Sequence, residues 1–286
     1  MDFKDIEKGI VRLIQKAETE LPQDVVKALE KANKIEEGVA KTQIEAILTN
    51  IDLAKKSKRP MCQDTGIQTF FVSVGVDFPE ISKLKDVIAN GVKTATREIP
   101  IRPNTVDPFT NENHKDNTGE QIPYITWDFT EGSDVTITAL PKGGGSENMS
   151  KLGMLKPGVG IEGVKDFVVE EMKKTGGQPC PPTVVGVGIG GGADLAMKLG
   201  KKAILRPVGV RHKDKNIAKI EEELIERINA SGIGPMGLGG KTTVLDVHVE
   251  KAHRHPASLP VGIVVQCWAD RRAQMVIHAD GRWEVK

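Results

Sequence analysis

The sequence predicts a mixed α/β fold: one large domain over residues 1–286 with a helical N-terminal region over 1–57. Three observations carry this. Apolar residues recur at helical spacing through the first 57 residues, as Ile6, Ile10, Leu13 and Ile14 and again as Ile44, Leu48 and Ile51. Beyond them, short runs rich in β-branched residues alternate with further helical patterns. No internal repeat or low-complexity linker interrupts the chain, and 38% hydrophobic content over 286 residues is enough for a sizeable core. Aromatics make up only 4%, so that core must be built from Val, Ile, Leu and Ala.

The elements follow in order. Pro22 and Gln23-Asp24 punctuate the gap between the first two helices. Thr69 to Val76 reads as a strand, and Pro79 to Glu98 as a helix with Leu84, Val87, Ile88 and Val92 inward. Residues 100–123 are polar, carry four prolines and read as a long loop of the kind that is often functional. Ile125–Phe129 and Asp134–Leu140 read as strands, the second running into a glycine-rich turn at 143–145. Gly163–Lys174 reads as a helix, Thr183–Val187 as a strand, Gly192–Leu199 and Asn216–Ala230 as helices. Strands are expected at 242–250, 260–267 and 273–278. In the first, Leu245, Val247 and Val249 alternate with Asp246, His248 and Glu250, the pattern of a half-buried strand.

Composition excludes several classes. With 40 basic and 39 acidic side chains the net charge is +1, which gives no electrostatic case for nucleic acid or a membrane surface. The charged, amphipathic start is unlike a signal peptide, and no apolar run approaches ~20 residues. A soluble, cytoplasmic protein in a reducing compartment is expected.

The three cysteines, Cys62, Cys180 and Cys267, are far apart in sequence, and each sits where a loop meets a strand. An odd count argues against a disulfide framework. Zinc would normally ask for a fourth protein ligand and a CxxC pair. Buried free cysteine remains the bland alternative. Three thiolates can instead hold three corners of a cubane iron–sulfur cluster, leaving one iron open as a Lewis acid suited to removing a hydroxyl from a small hydroxy acid.

Other motifs are weaker. Gly186-Val187-Gly188-Ile189-Gly190-Gly191 has the spacing of a dinucleotide fingerprint, but the acidic residue expected ~20 residues on is replaced by the Arg206 region. That leaves an NADP-dependent oxidoreductase as a rival reading, beside a close-packing role for the glycines. Gly239-Gly240-Lys241-Thr242 looks like the end of a P-loop, yet Pro235 stands where its first glycine belongs and a strand follows. Gly143-Gly144-Gly145-Ser146 offers consecutive amides for an anion, or an ordinary turn. Arg102 offers a two-pronged carboxylate contact or a solvated surface charge. His253 and His255 are candidates for moving a proton, or surface histidines.

Taken together, Cys-Gln-Asp-Thr-Gly at 62–66, Ile-Arg-Pro-Asn at 101–104, Lys-Gly-Gly-Gly-Ser-Glu-Asn at 142–148, Cys-Pro-Pro at 180–182, Gly-Gly-Lys-Thr-Thr at 239–243, and His255 with Cys267 resemble the class I (iron–sulfur) fumarate hydratase and L-tartrate dehydratase family, in its two-subunit form the α subunit. The resemblance spans essentially the whole chain. It implies a 4Fe–4S cluster held by Cys62, Cys180 and Cys267, with Gln63, Arg102, Gly144 and Gly145 contacting a fumarate- or malate-type dicarboxylate. It further implies Asp64 as an acid for the departing hydroxyl and His255 beside it. Members with both parts in one chain carry a further domain after the last cysteine, whereas this chain stops at Lys286. The resemblance therefore implies a separate β subunit that brings the base, in an α2β2 assembly. Fumarate hydration is the expected reaction, with L-tartrate dehydration as the alternative. A non-catalytic iron–sulfur scaffold is the third reading.

Overall fold

The computed structural model describes residues 1–286. In chain order the elements are α1 (Phe3–Thr19), α2 (Gln23–Ile35), α3 (Gly38–Ser57), β1 (Ile67–Gly75), α4 (Leu84–Glu98), β2 (Tyr124–Thr130), β3 (Val135–Lys142) and the single turn α5 (Gly144–Glu147). There follow β4 (Lys151–Leu155), α6 (Gly160–Thr175), β5 (Thr183–Gly191), α7 (Ala193–Ala203), α8 (Lys215–Asn229), β6 (Val244–Arg254), β7 (Leu259–Gln266), β8 (Ala273–Ile277) and β9 (Trp283–Val285). The architecture is mixed α/β with a helical N-terminal region, as the periodicity predicts. No helix is long and apolar enough to cross a membrane. The chain divides into two compact units, one of residues 1–22, 50–144 and 271–286, the other of 23–49 and 145–270.

The first unit is built on a five-stranded sheet in the order β2-β1-β3-β8-β9, with β1 and β2 parallel and the other pairs antiparallel. Helix α1 starts at Asp2, whose carboxylate accepts from the Lys4 and Asp5 amides and satisfies two of the free N–H groups of the first turn. Its stripe of Ile6, Ile10, Leu13 and Ile14 is fully buried with Phe70, Ile88 and Ile137 in one core. Each such side chain contributes about 1.5–3 kcal/mol of transfer free energy. α4 begins at Leu84, after a 3-10 turn at Ile81–Lys83, a few residues later than its pattern suggests.

The second unit carries a four-stranded sheet in the order β4-β7-β5-β6, with β5 and β6 parallel. Val185, Val187, Val247 and Ile263 form its core with Val168 from α6 and Leu224 from α8. The dinucleotide-like glycines are not a phosphate turn. They lie within β5, where a Cβ on Gly186 or Gly188 would fall 2.0 Å from the carbonyl oxygen of Gly200 or Ala196. They let α7 press directly on the strand. Arg206 is committed to the carboxylates of Glu221 and Glu250 and to the Val249 carbonyl. The P-loop-like segment is equally committed, because the Lys241 and Thr242 amides donate to the carboxylate of Glu36.

Three local expectations need correction. β4 and β9 carry no clear alternation and go unpredicted: in β4, Leu152 and Met154 are exposed. Asp246 and His248 are as buried as the apolar residues between them, because Arg211 pairs with Asp246 and the Gly209 amide donates to it. The prolines on either side of Cys180 predict an extended backbone, yet it sits at φ +54°, in the left-handed region.

Candidate active site

In the first unit the site residues gather on the turn between α3 and β1. Cys62 is half-buried and free of any disulfide, and Gln63 is exposed beside it. Gly66, at φ +70°, brings the turn against the Lys142 backbone, where a Cβ would lie 2.6 Å from the carbonyl carbon; only glycine fits both demands. This contact joins the turn to the end of β3 and to the glycine segment that follows.

The side chain of Asp64 spans that junction. Its Oδ1 accepts from the Gly66 amide at 2.9 Å and its Oδ2 from the Gly144 amide at 2.7 Å. Thus the amide of the predicted anion nest holds the protein's own carboxylate. Gly143 is buried, and a Cβ there would stand 3.0 Å from Asp64 Oδ2, so the absent side chain lets the peptide approach. Each oxygen keeps a second lone pair, so Asp64 can exchange a proton while both amide donors stay in place.

Arg102 arrives on the long loop. Its amide donates to Thr65 Oγ1 at 3.0 Å and its carbonyl accepts from Asn117 Nδ2 at 2.9 Å, while its side chain is exposed. Asn104 extends its amide to the Gly66 carbonyl at 3.1 Å. The Ile-Arg-Pro-Asn segment is therefore bolted to the cysteine turn, with Arg102 exposed on it.

In the second unit, Cys180 precedes β5 and Cys267 follows β7. These strands are antiparallel neighbours, with Val184 opposite Gln266, so both cysteines stand at one end of the sheet. The Trp268 amide donates to the Cys180 carbonyl at 3.1 Å and locks the two turns together. Both thiols are half-buried and neither is in a disulfide. A left-handed non-glycine residue costs on the order of 1–2 kcal/mol, and Cys180 is held in it by its amide donating to Gly177 and its carbonyl accepting from Trp268. Gln266 is fully buried next to Cys267. Ser146 Oγ donates to its Oε1 at 3.4 Å, while its Nε2 has no hydrogen-bond partner within the chain. Within the second unit, two half-buried soft donors at one end of the sheet, with an orphaned buried amide beside one of them, have donor chemistry that suits an iron–sulfur group.

His255 is placed elsewhere. It is exposed at the turn joining β6 to β7, the opposite end of the sheet from Cys180 and Cys267. The eight residues of β7 separate His255 from Cys267 by roughly 25 Å. Its Nδ1 accepts from the Ala257 amide, a local turn contact. Gly145 is exposed at the start of the second unit's longer segment, near the Gln178 carbonyl.

Sequence reasoning misses the residues beneath the Cys62 turn. Arg271 and Glu18, exposed 1% and 0%, form an ion pair at 2.8 Å, and Arg271 Nη2 also donates to the Asp64 carbonyl at 2.9 Å. Glu18 lies in a helix with a good amphipathic stripe, and its partner is 253 positions away, so no local pattern marks either. A groove of about 510 Å3 beside β2, lined by Lys85, Tyr124 and Trp127, holds none of the predicted residues. The site is assigned on donor chemistry and hydrogen bonding.

Known proteins resemble this chain along nearly its whole length. The family model described as fumarate hydratase (Fumerase) matches residues 7–276. A putative L(+)-tartrate dehydratase subunit alpha from Methanocaldococcus jannaschii is 52% identical over 278 residues, covering 96% of this chain and 98% of that one. The L(+)-tartrate dehydratase subunit alpha of Escherichia coli (strain K12) is 39% identical over 268 residues, covering 93% and 88%. Matched by this family model over residues 7–276 and 52% identical along nearly its whole length to one such relative, the chain belongs to the fumarate hydratase (Fumerase) family of hydro-lyases.

Proposed function

We propose that this chain is the α subunit of an iron–sulfur hydro-lyase that dehydrates L-tartrate, acting with a separate β subunit. The observation that carries the substrate is the 52% and 39% identity, along nearly full length, to proteins named as L(+)-tartrate dehydratase α subunits. This favours tartrate over the fumarate expected from the motifs. The same names support a partner subunit. An α2β2 assembly remains our expectation, because two-fold association is the commonest closed arrangement.

In this reading Cys62, Cys180 and Cys267 hold a 4Fe–4S cluster. When bound, it supplies one iron without a protein ligand, a Lewis acid for the hydroxyl that departs. The remaining work falls to the protein. Arg102, exposed on its anchored loop, pairs with a substrate carboxylate, and Gln63 and the Gly144-Gly145 segment contribute polar contacts. Asp64 exchanges the proton with the leaving oxygen through a lone pair its amide donors leave open. The carbon next to the other carboxylate must lose a proton to a base on the opposite face. Nothing in the first unit's turn presents a second such group, and we assign the base to the β subunit. His255, at the far end of its sheet, is left out of the group acting with Cys180 and Cys267.

The test is turnover by the anaerobically reconstituted complex, following loss of L-tartrate and appearance of its keto-acid product beside hydration of fumarate. Tartrate as the faster substrate is expected. Fumarate as the faster one would return the reading to a fumarase, and no turnover of either by a cluster-replete complex would remove both.

A further inference from the structure

The buried Glu18–Arg271 pair is used by nothing in the reaction as read so far, yet it lies directly under the turn that carries Cys62 and Asp64. Buried ion pairs are poor stabilisers, because the desolvation of two charges offsets most of their attraction. A purely apolar pair would serve a core better. Their geometry suggests a different use.

Arg271 presents a planar fork. One prong, Nη1, meets Glu18 Oε2 at 2.8 Å, and the other, Nη2, meets the Asp64 carbonyl at 2.9 Å. The guanidinium plane thus fixes α1 and the peptide of Asp64 relative to each other. Glu18 grips the turn at two more points. Its own carbonyl accepts from the Met61 amide at 3.0 Å. Its Oε1 accepts from Gln68 Nε2 at 3.1 Å, and the same Gln68 amide reaches the Thr65 carbonyl at 3.4 Å. Peptide groups at 61, 64 and 65 are therefore tied to one helical residue, directly or through a single side chain. With the Asp64 main chain held from below, its carboxylate is aimed at the amides of Gly66 and Gly144. Arg271 Nη2 also stands 3.8 Å from where a Cβ on Gly143 would be, so its fork underlies both halves of the junction.

We propose that Glu18 and Arg271 are positioning residues, a buried pair that fixes the Cys62–Gly66 turn and so sets the aim of the Asp64 carboxylate. The inference rests on Asp64 acting in a hydro-lyase, but its geometric half stands independently. Lysine at 271 keeps the charge for Glu18 yet lacks the rigid fork that spans both partners.

The test compares Arg271→Met and Arg271→Lys with the natural chain. In the full, cluster-free chain, hydrogen exchange is measured at the Gly66 and Gly144 amides, with the Val185 amide of β5 reporting overall opening. Losing a charge-assisted hydrogen bond to the Asp64 peptide should speed exchange at Gly66 and Gly144 by roughly tenfold or more, with Val185 little changed. Alkylation of Cys62 should accelerate relative to Cys180. In the reconstituted complex, Arg271→Lys should lower kcat for L-tartrate with KM nearly unchanged, since Arg102 is untouched. Unchanged exchange at Gly66 and Gly144, or equal acceleration at all three amides, would overturn the positioning role. If Arg271→Met does not fold, Arg271→Lys alone decides on the same criteria. A natural complex with no turnover would count against the hydro-lyase reading, while the exchange result would still judge the pair.

Discussion

At the scale of the residue, Asp64 has a double commitment. Both of its oxygens accept backbone amides, so it clasps the cysteine turn to the glycine segment besides the proton transfer proposed for it. Asp64→Asn keeps the size and one acceptor but cannot carry the proton. Turnover should fall by ~10²–10⁴, the usual worth of a positioned acid or base, with iron content retained. Near-normal turnover would leave Asp64 only the clasp.

Glu18 makes a pH prediction. Its carboxyl is pushed up from an ordinary 4.5 to about 7, because burial outweighs the opposing pull of Arg271 and the hydrogen bond from Gln68, with Asp64 adding a like charge. Between 4.5 and 7 the folded chain keeps a proton that the unfolded chain has released. Stability contributed by this group is thus full below 4.5 and lost as pH rises toward 7, by on the order of 3 kcal/mol. Denaturant unfolding of the cluster-free chain across that window should show this fall, and Glu18→Gln should lose it. Parallel pH profiles for the two proteins would refute the assignment.

At the scale of the element, what is legible in the sequence is what local periodicity encodes. The stripe of α1, the strand β1 and the helix α8 follow from spacing alone, because each buries one face against a single core. The three cysteines and the arginine loop stand out by residue type, which is what the proposed site rests on. What is hidden depends on partners distant in the chain. Asp246 and His248 look like an outward face until Arg211 is brought over them, and Cys180, between prolines, looks extended until Trp268 closes its turn. His255 reads as a neighbour of Cys267 by sequence, yet a whole strand places it at the other end of the sheet. The glycines of β5 look like a cofactor fingerprint but serve packing. Gly188→Ala sets a Cβ 2.0 Å from the Ala196 carbonyl oxygen, so α7 must lift. The denaturation midpoint should drop by the equivalent of about 1–3 kcal/mol or more. Gly158→Ala, with nothing within 4 Å of the new Cβ, should stay within about 0.5 kcal/mol of the natural chain. Equal effects would contradict the packing role.

At the scale of the whole molecule, the proposed reading has the chain supply three soft ligands, a clasped acid and an exposed arginine, but a dicarboxylate carries two charges and its reaction needs a base on the other face. A docking partner that brings cations and a base would also exclude water from the closed site. The most direct measurement of this division of labour is L-tartrate turnover by the anaerobically reconstituted chain, alone and with its β subunit, with iron and sulfide counted in the same samples. About four of each per chain are expected in both samples, with dehydration of L-tartrate only when β is present. Robust turnover by the chain alone, or a cluster-replete complex inert toward L-tartrate, would contradict a site shared between the two subunits.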